Sequence, residues 1–300
     1  DVQRDMYRTI AGLENCKIVR YAYAIEYDCI DSLDLYPTLE FKKVKGLFTA
    51  GQINGTSGYE EAGAQGLIAG INASLYIAGR SQLVLRRDQS YIGVLIDDLV
   101  TKGTDEPYRM MTSRAEYRII LRQDNADMRL TEIGRTVGLV DDVRYNVFLE
   151  KKEKLKRAKE ILTEKRSPKS VREFVESYGG KLEGGISYDE MIKRGIPLKD
   201  ICEKFEIFKD LSFDLIDTLE TDSRYEGYLK KGFEEIEKAK RMEEKLLPPD
   251  IDYKKIDGLR TEAREKLDRI RPSSLGQAER ISGVNPADVA VLMVYLKRSR

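Results

Sequence analysis

Hydrophobic positions along the chain follow two rhythms. Near the start, Val2, Met6 and Ile10 recur at helical spacing, whereas Ile18, Val19, Tyr21, Tyr23 and Ile25 alternate and predict a strand over Cys16 to Tyr27. Asp31 to Pro37 reads as a connection, and Leu39 to Lys43 as a short strand. A short apolar run, Gly46 to Ala50, then enters a turn with glycines at 51, 55 and 58, and Ala64, Leu67, Ile68, Ile71 and Leu75 fall on one face of the helix that follows. Ser57 and Glu60 have capping-box spacing at its start, and Gly63, Gly66, Ala69, Gly70 and Ala73 leave room for a close neighbour. Strand, glycine turn and helix are the expected local fold. A bare helix start beside such a turn suits a phosphate, a ribityl hydroxyl or the edge of a flavin ring, with Gln52 and Asn54 adding amides; the same spacing also serves a tight turn with no ligand.

Beyond that helix, Leu83 to Arg87 reads as a weak helical continuation and Tyr91 to Val100 as a helix or a buried strand. Thr101 to Pro107 has the composition of a surface loop, so divisions at 1–103, 104–215 and 216–300 are expected. Ser113 and Glu116 again have capping-box spacing, and a helix starting there would put Arg114, Arg118 and Arg122 in one column. With Arg109 these arginines form a local cationic stripe. It suits RNA phosphates, ion pairs with carboxylates such as Asp105, Glu106, Asp124 and Asp127, or a solvated face.

The remainder is helical in pattern. Val143, Val147, Phe148, Leu155, Ala158 and Leu162 stripe a long helix over Asp142 to Arg166, with Glu153 and Arg157 paired on its surface. Shorter helices are expected over Val171 to Tyr178, over Tyr188 to Arg194 behind a Ser187/Glu190 box, and over Leu198 to Phe205. A second long one runs from about Ser223 to Leu246, stopped by Pro248-Pro249. Leu275 to Leu296 has the outline of a helix-turn-helix, which keeps open a stand-alone nucleic-acid-binding or adaptor module without catalysis. Its second helix, Pro286 to Leu296, has almost no polar groups to read bases and looks made to pack.

Charge narrows the partners. The 52 basic and 52 acidic residues cancel, so any nucleic-acid contact must come from a local patch, and no membrane contact is expected. With no histidine and three scattered cysteines, Cys16, Cys29 and Cys202, no zinc or other metal site is expected. The cysteines read as ordinary buried thiols in a reducing compartment, and a cytoplasmic protein is expected.

Three stretches resemble the GidA/MnmG family, the FAD-dependent tRNA uridine 5-carboxymethylaminomethyl modification enzymes. They are Ala50-Gly51-Gln52-Ile53-Asn54-Gly55-Thr56-Ser57-Gly58-Tyr59-Glu60-Glu61-Ala62 with Ala64 to Gly70, then Asp105 to Arg118 with Leu121 to Asp127, and Leu275 to Val284. Ser57 and Gly63 depart mildly from the pattern, standing where Thr and Ala are expected. Tyr21 to Asp28 is similar to the segment before the family's flavin turn. The resemblance implies an α+β N-terminal end, the C-terminal remnant of a Rossmann-like FAD-binding domain, followed by a mostly α-helical region. It implies Gly51, Gln52, Asn54, Gly55, Gly58, Tyr59 and Glu60 as cofactor-binding residues, and FAD with NADH as reductant. It further implies a methylenetetrahydrofolate carbon source, tRNA as substrate, an MnmE-type GTPase as partner, and homodimerisation. No strand with a GxGxxG turn lies near Asp1, so the glycine-rich dinucleotide fingerprint, the nicotinamide site and the catalytic residues are expected upstream of it.

Overall fold

The computed structural model describes residues 1–24 and 26–298. Among the described residues the chain forms thirteen α-helices: α1 (Val2–Arg8), α2 (Tyr59–Ile77), α3 (Tyr91–Lys102), α4 (Ala126–Thr136), α5 (Asp142–Thr163), α6 (Pro168–Ser177), α7 (Tyr188–Lys193), α8 (Leu198–Phe205), α9 (Phe213–Arg224), α10 (Glu226–Glu243), α11 (Thr261–Ile270), α12 (Leu275–Glu279) and α13 (Pro286–Arg298). A two-stranded antiparallel sheet joins β1 (Lys165–Arg166) to β2 (Ile186–Ser187), with Lys165 opposite Ser187. The fold class therefore stands: a mixed extended and helical N-terminal end, then a helical body.

Several local expectations change. The strand over 16–27 does not form; Val19 is fully exposed and Tyr23 nearly so, while Ile25 lies outside the described residues. A strand needs a neighbour to satisfy its backbone, and here the Gln3 amide stands in for one, donating to the Ala22 carbonyl at 2.7 Å and accepting its N–H at 2.9 Å. Cys16 and Cys29 are exposed rather than buried, and only Cys202 is half-buried. Burial pushes the Cys202 thiol up to about 11, with Glu220 adding to it. The expected strand at 39–43 reduces to isolated bridges, Leu35 with Phe41 and Glu40 with Phe48, because Leu39 takes a left-handed conformation (φ 65°) that breaks a regular run.

The 83–87 stretch is irregular rather than helical, with Arg87 entering a turn. Asn72, fully buried on α2, brackets Leu83 through both halves of its amide, at 2.6 and 2.9 Å, and holds its backbone in place. Tyr91–Lys102 is a helix, capped by the Ser90 hydroxyl on the Gly93 N–H at 2.9 Å. The glycines of α2 do not receive a close neighbour within the described chain: a methyl at Gly63, Gly66 or Gly70 would meet nothing within 4 Å. The packed face of α2 is instead Gln65, Ile68, Ile71, Asn72 and Leu75, and Leu67 points outward.

In the helical body, the Ser187/Glu190 capping box forms and α8 has the expected bounds. Leu155, Ala158 and Leu162 of α5 pack with Val171, Val175, Met191, Ile192, Leu198, Ile201 and Leu219 in one core. Val143 and Val147 lie off that stripe and are exposed. The expected second long helix forms as α10, three residues short at each end and burying only Ile236, and a further helix, α9, precedes it. A second core gathers Leu247, Ile251, Tyr253, Leu267, Ile270, Leu275 and Leu292, into which Leu33 reaches from the N-terminal end. Val289 and Leu292 turn α13 inward, and Asp288 is tied to Arg260 at 2.7 Å, so the would-be recognition helix is a packing helix. Among the described residues no helix is long and apolar enough to cross a membrane, and no cluster of His, Cys, Asp or Glu is placed to hold a metal.

Candidate functional site

The glycine turn is built from inside by Gln65, which has no exposed surface. Its Oε1 accepts from the Gly51 N–H at 3.2 Å and from Asn54 Nδ2 at 2.8 Å, and its Nε2 donates to Thr56 Oγ1 at 2.9 Å. Residues Gly51–Asn54 form a 3-10 turn, closed by Gly55 in the left-handed region (φ 83°). Only glycine fits there, since a Cβ would lie 2.4 Å from Thr104 Oγ1 as well as strain the backbone.

The capping box expected at Ser57 and Glu60 does not form. The Ser57 N–H is bonded to the Tyr108 carbonyl at 3.3 Å, in a parallel bridge between Thr56 and Tyr108, so the chain stays extended and the helix begins one residue later. Gly58 is the N-cap and supplies no side-chain acceptor, which leaves the first-turn N–H groups of α2 uncapped at the positive end of a 19-residue helix. Glu61 folds back over Gly58, where a Cβ would sit 1.6 Å from its carboxylate, and accepts the Met110 N–H at 2.7 Å.

The predicted cofactor residues thus divide by orientation. Gln52, Tyr59 and Glu60 are exposed, Tyr59 almost completely; Gly51, Asn54 and Gly58 are buried, and Gly55 is half-buried. Asn54 directs its amide inward to Thr49 O and Gln65. Thr49 Oγ1, Asn54 Oδ1 and Glu61 Oε2, all around the turn, are buried without a hydrogen-bond partner among the described residues. An exposed amide, an uncapped helix start and orphaned oxygens in one turn fit a polar, many-atomed ligand such as the ribityl and ring edge of a flavin.

The arginines do not form a column. Thr112–Arg114 is a 3-10 turn followed by turns up to Leu121. The Glu116 that would close a capping box is taken by Arg87 instead, while Ala115 and Leu121 are buried against Val94 of α3. Arg122 is held by Asp124 at 2.9 Å and Asp222 at 2.6 Å. Arg114 stacks over the Tyr108 ring at 4.3 Å, Arg109 is exposed with Glu61 at 4.0 Å, and Arg118 is exposed. Arg109 thus has one long pairing with Glu61, Arg114 is held by an aromatic ring, and Arg118 faces solvent, whereas Arg122 is held by two carboxylates.

Sequence reasoning missed Arg87. Its guanidinium donates to Asp98 at 2.8 Å, to Asp97 at 3.1 Å and to Glu116 at 2.7 Å. Asp98 also takes Lys102 at 2.7 Å and the Tyr108 hydroxyl at 2.9 Å. Burial opposes the charge on Arg87, yet Glu116, Asp98 and Asp97 together raise its affinity for the proton above normal. Burial, followed by Asp98, pushes the Tyr108 phenol well above its ordinary value and keeps it a donor. On the far side, Arg280 grips Asp97 at 2.6 and 2.8 Å and pairs with Glu243. The three stretches around residues 56, 116 and 280, remote in sequence, are joined by these contacts. The available signal was the Asp97-Asp98 pair inside the apolar run Ile92 to Val100, where two carboxylates require a buried cation.

A glycine turn opening into an uncapped helix, clamped by ion pairs to a helical body, defines the architecture as a mixed extended and helical N-terminal end joined to a mostly helical remainder. Comparison with known proteins makes the family specific. Residues 1–81 match the model of glucose inhibited division protein A, residues 142–232 that of the tRNA modifying enzyme MnmG/GidA C-terminal helical domain, and residues 235–300 that of the MnmG/GidA C-terminal helical bundle. The tRNA uridine 5-carboxymethylaminomethyl modification enzyme MnmG of Caldicellulosiruptor saccharolyticus is 53% identical over 305 residues, covering 100% of this chain and 49% of the relative. That of Clostridium kluyveri is 55% identical over 99% of this chain and 48% of its own length. The form II crystal structure of Aquifex aeolicus GidA superposes with a TM-score of 0.80 at 45% identity, over 98% of this chain and 47% of that one. The chain belongs to the MnmG/GidA family and corresponds to the C-terminal portion of its members. It spans about half the length of the curated relatives it matches.

Proposed function

We propose that this chain supplies one wall of the flavin site, and the RNA- and partner-docking helices, of an enzyme that modifies C5 of the wobble uridine of tRNA. The observation that carries the proposal is the uncapped start of α2 beside the exposed Gln52, in a chain half identical to enzymes named for tRNA uridine modification. When bound, FAD supplies the redox chemistry, with NADH as reductant and a methylenetetrahydrofolate carbon. The residues of this chain bind and orient. First-turn N–H groups of α2 and the Gln52 amide would hold the cofactor's electron-rich edge, while Gly51 and Gly55, whose missing side chains make room for Ala62 and Thr104, keep the turn tight. Gln65 and Asn54 hold the turn from behind.

The domain divisions at 103 and 215 belong to the same reading: a cofactor-holding end, then two helical units that present tRNA and an MnmE-type GTPase, in a cytoplasmic homodimer. The catalytic groups are supplied by the other half of the enzyme, and the 300 residues alone turn over no substrate. In the full-length protein, Gln52→Ala is expected to weaken flavin retention several-fold, measured by absorbance after gel filtration, while leaving the melting temperature within a degree or two, since an exposed side chain is removed. Unchanged retention removes Gln52 from the site.

Arg118, exposed to solvent where Arg122 is held by two carboxylates, is the arginine of the stripe best placed to meet phosphate. Charge reversal at Arg118 is expected to lower tRNA affinity about tenfold at low salt, and to reduce the slope of log affinity against log salt by about one. Equal slopes for wild type and Arg118→Glu place that arginine outside the RNA path.

A further inference from the structure

Tyr108 is fixed to the glycine turn on both sides: its N–H donates to the Gly55 carbonyl at 2.8 Å and its carbonyl accepts from Ser57 at 3.3 Å. Any displacement of Tyr108 therefore moves residues 55–57, which set where α2 begins. Its hydroxyl donates to Asp98, Asp98 accepts from Arg87, Arg87 also reaches Asp97, and Asp97 is forked by Arg280 of the C-terminal bundle. Every link but the last is nearly closed to solvent; side-chain exposure is 1% at Asp98, 9% at Arg87, 13% at Asp97 and 22% at Arg280. Lys102 on Asp98, Glu116 on Arg87, Arg114 over the Tyr108 ring and Glu243 on Arg280 are further charges that face this line.

We infer that this line is a positioning device: through Arg280, Asp97, Arg87 and Asp98, the C-terminal bundle fixes Tyr108 and hence the geometry of the cofactor turn. The inference rests on the flavin reading above. Planar guanidinium forks admit few orientations, so two arginines sharing one carboxylate transmit position where lysines would not. Buried ion pairs contribute little net stability against an apolar replacement, which is consistent with a role in specifying geometry. Asp97 Oδ2 is the shared atom, at 3.1 Å from Arg87 and 2.6 Å from Arg280. Glu243 and the Ser274 hydroxyl bonded to it anchor Arg280 to α10 and to the start of α12.

The test is a double-mutant cycle in the full-length protein with Tyr108→Phe and Arg280→Met, reading flavin Kd, the flavin's visible spectrum and the melting temperature. Tyr108→Phe keeps the ring beneath Arg114 and removes only the hydroxyl. Each single variant is expected to raise Kd by about tenfold, as for loss of a hydrogen bond to a charged group, with a shifted flavin band. The double variant is expected to fall short of the product of the two by at least threefold, because both cut one line. Should Arg280→Met not fold, Asp97→Asn takes its place in the cycle. Effects that multiply independently, or singles that leave Kd and spectrum untouched in a flavin-loaded protein, overturn the device while the flavin reading stands. A wild-type protein that binds no flavin overturns both.

Discussion

Arg87→Met is expected to lower the unfolding free energy of the chain by about 3–5 kcal/mol, the range for removing one partner from a buried ion cluster. Three carboxylates depend on this guanidinium. Glu116 can turn to water, being half exposed, but Asp98 at 1% exposure and Asp97 at 13% cannot. Lys102 and Arg280 remain as partial partners, which sets the loss within that range rather than above it. The neighbouring Arg86 makes a bidentate pair with Asp88, at 2.8 and 2.8 Å, but its side chain is 41% exposed; Arg86→Met is expected to change stability by less than about 1 kcal/mol. Chemical denaturation of the two variants side by side checks the contrast, and equal midpoints would show that burial does not decide it.

The same variant has a pH signature. Burial pulls the Asp98 carboxyl upward, and the Lys102 ammonium and the Arg87 guanidinium more than reverse that, so in the folded chain it titrates below ordinary aspartate. A depressed folded pKa means stabilisation fully present above the unfolded value of about 4 and lost as pH falls through the folded value. Without Arg87 that increment shrinks. The deficit of Arg87→Met is therefore expected to be greatest near neutral pH and to narrow below about pH 4.

The sequence was most legible where local chemistry and tertiary packing agree. Ser187 and Glu190 cap α7 as their spacing requires, α8 runs over the expected residues, and the stripe of α5 is buried from Phe148 onward. It misled where a long-range partner captured a local signal. Ser57 and Glu60, and again Ser113 and Glu116, have the spacing of a cap, but Tyr108 holds the Ser57 backbone and Arg87 takes Glu116. Neither partner lies within reach of a local window. The alternating segment after Cys16 failed for a complementary reason: period-two hydrophobicity describes a strand only when another strand is present to pair with it. In the glycine turn, residue types alone did not distinguish Gln52, which faces out, from Asn54, which faces in.

Gln65→Leu separates those two roles. Leucine keeps the volume but removes the acceptor shared by Gly51 N and Asn54 Nδ2 and the donor to Thr56. Asn54 retains Thr49 O, so the principal losses are the Gly51 N–H and the orientation of the Thr56 hydroxyl, in a site with no water-exposed surface at residue 65. At about 1–3 kcal/mol for each buried group left unsatisfied, the expected destabilisation is about 2–4 kcal/mol, visible in the isolated chain with no cofactor present. Gln52→Ala should give the opposite pattern, near-native stability with weakened flavin retention in the full-length protein. If Gln65→Leu instead left the melting temperature of the chain unchanged, the internal amide would not be what shapes the turn, and the geometry of residues 51–58 would have to be set from the Tyr108 side alone.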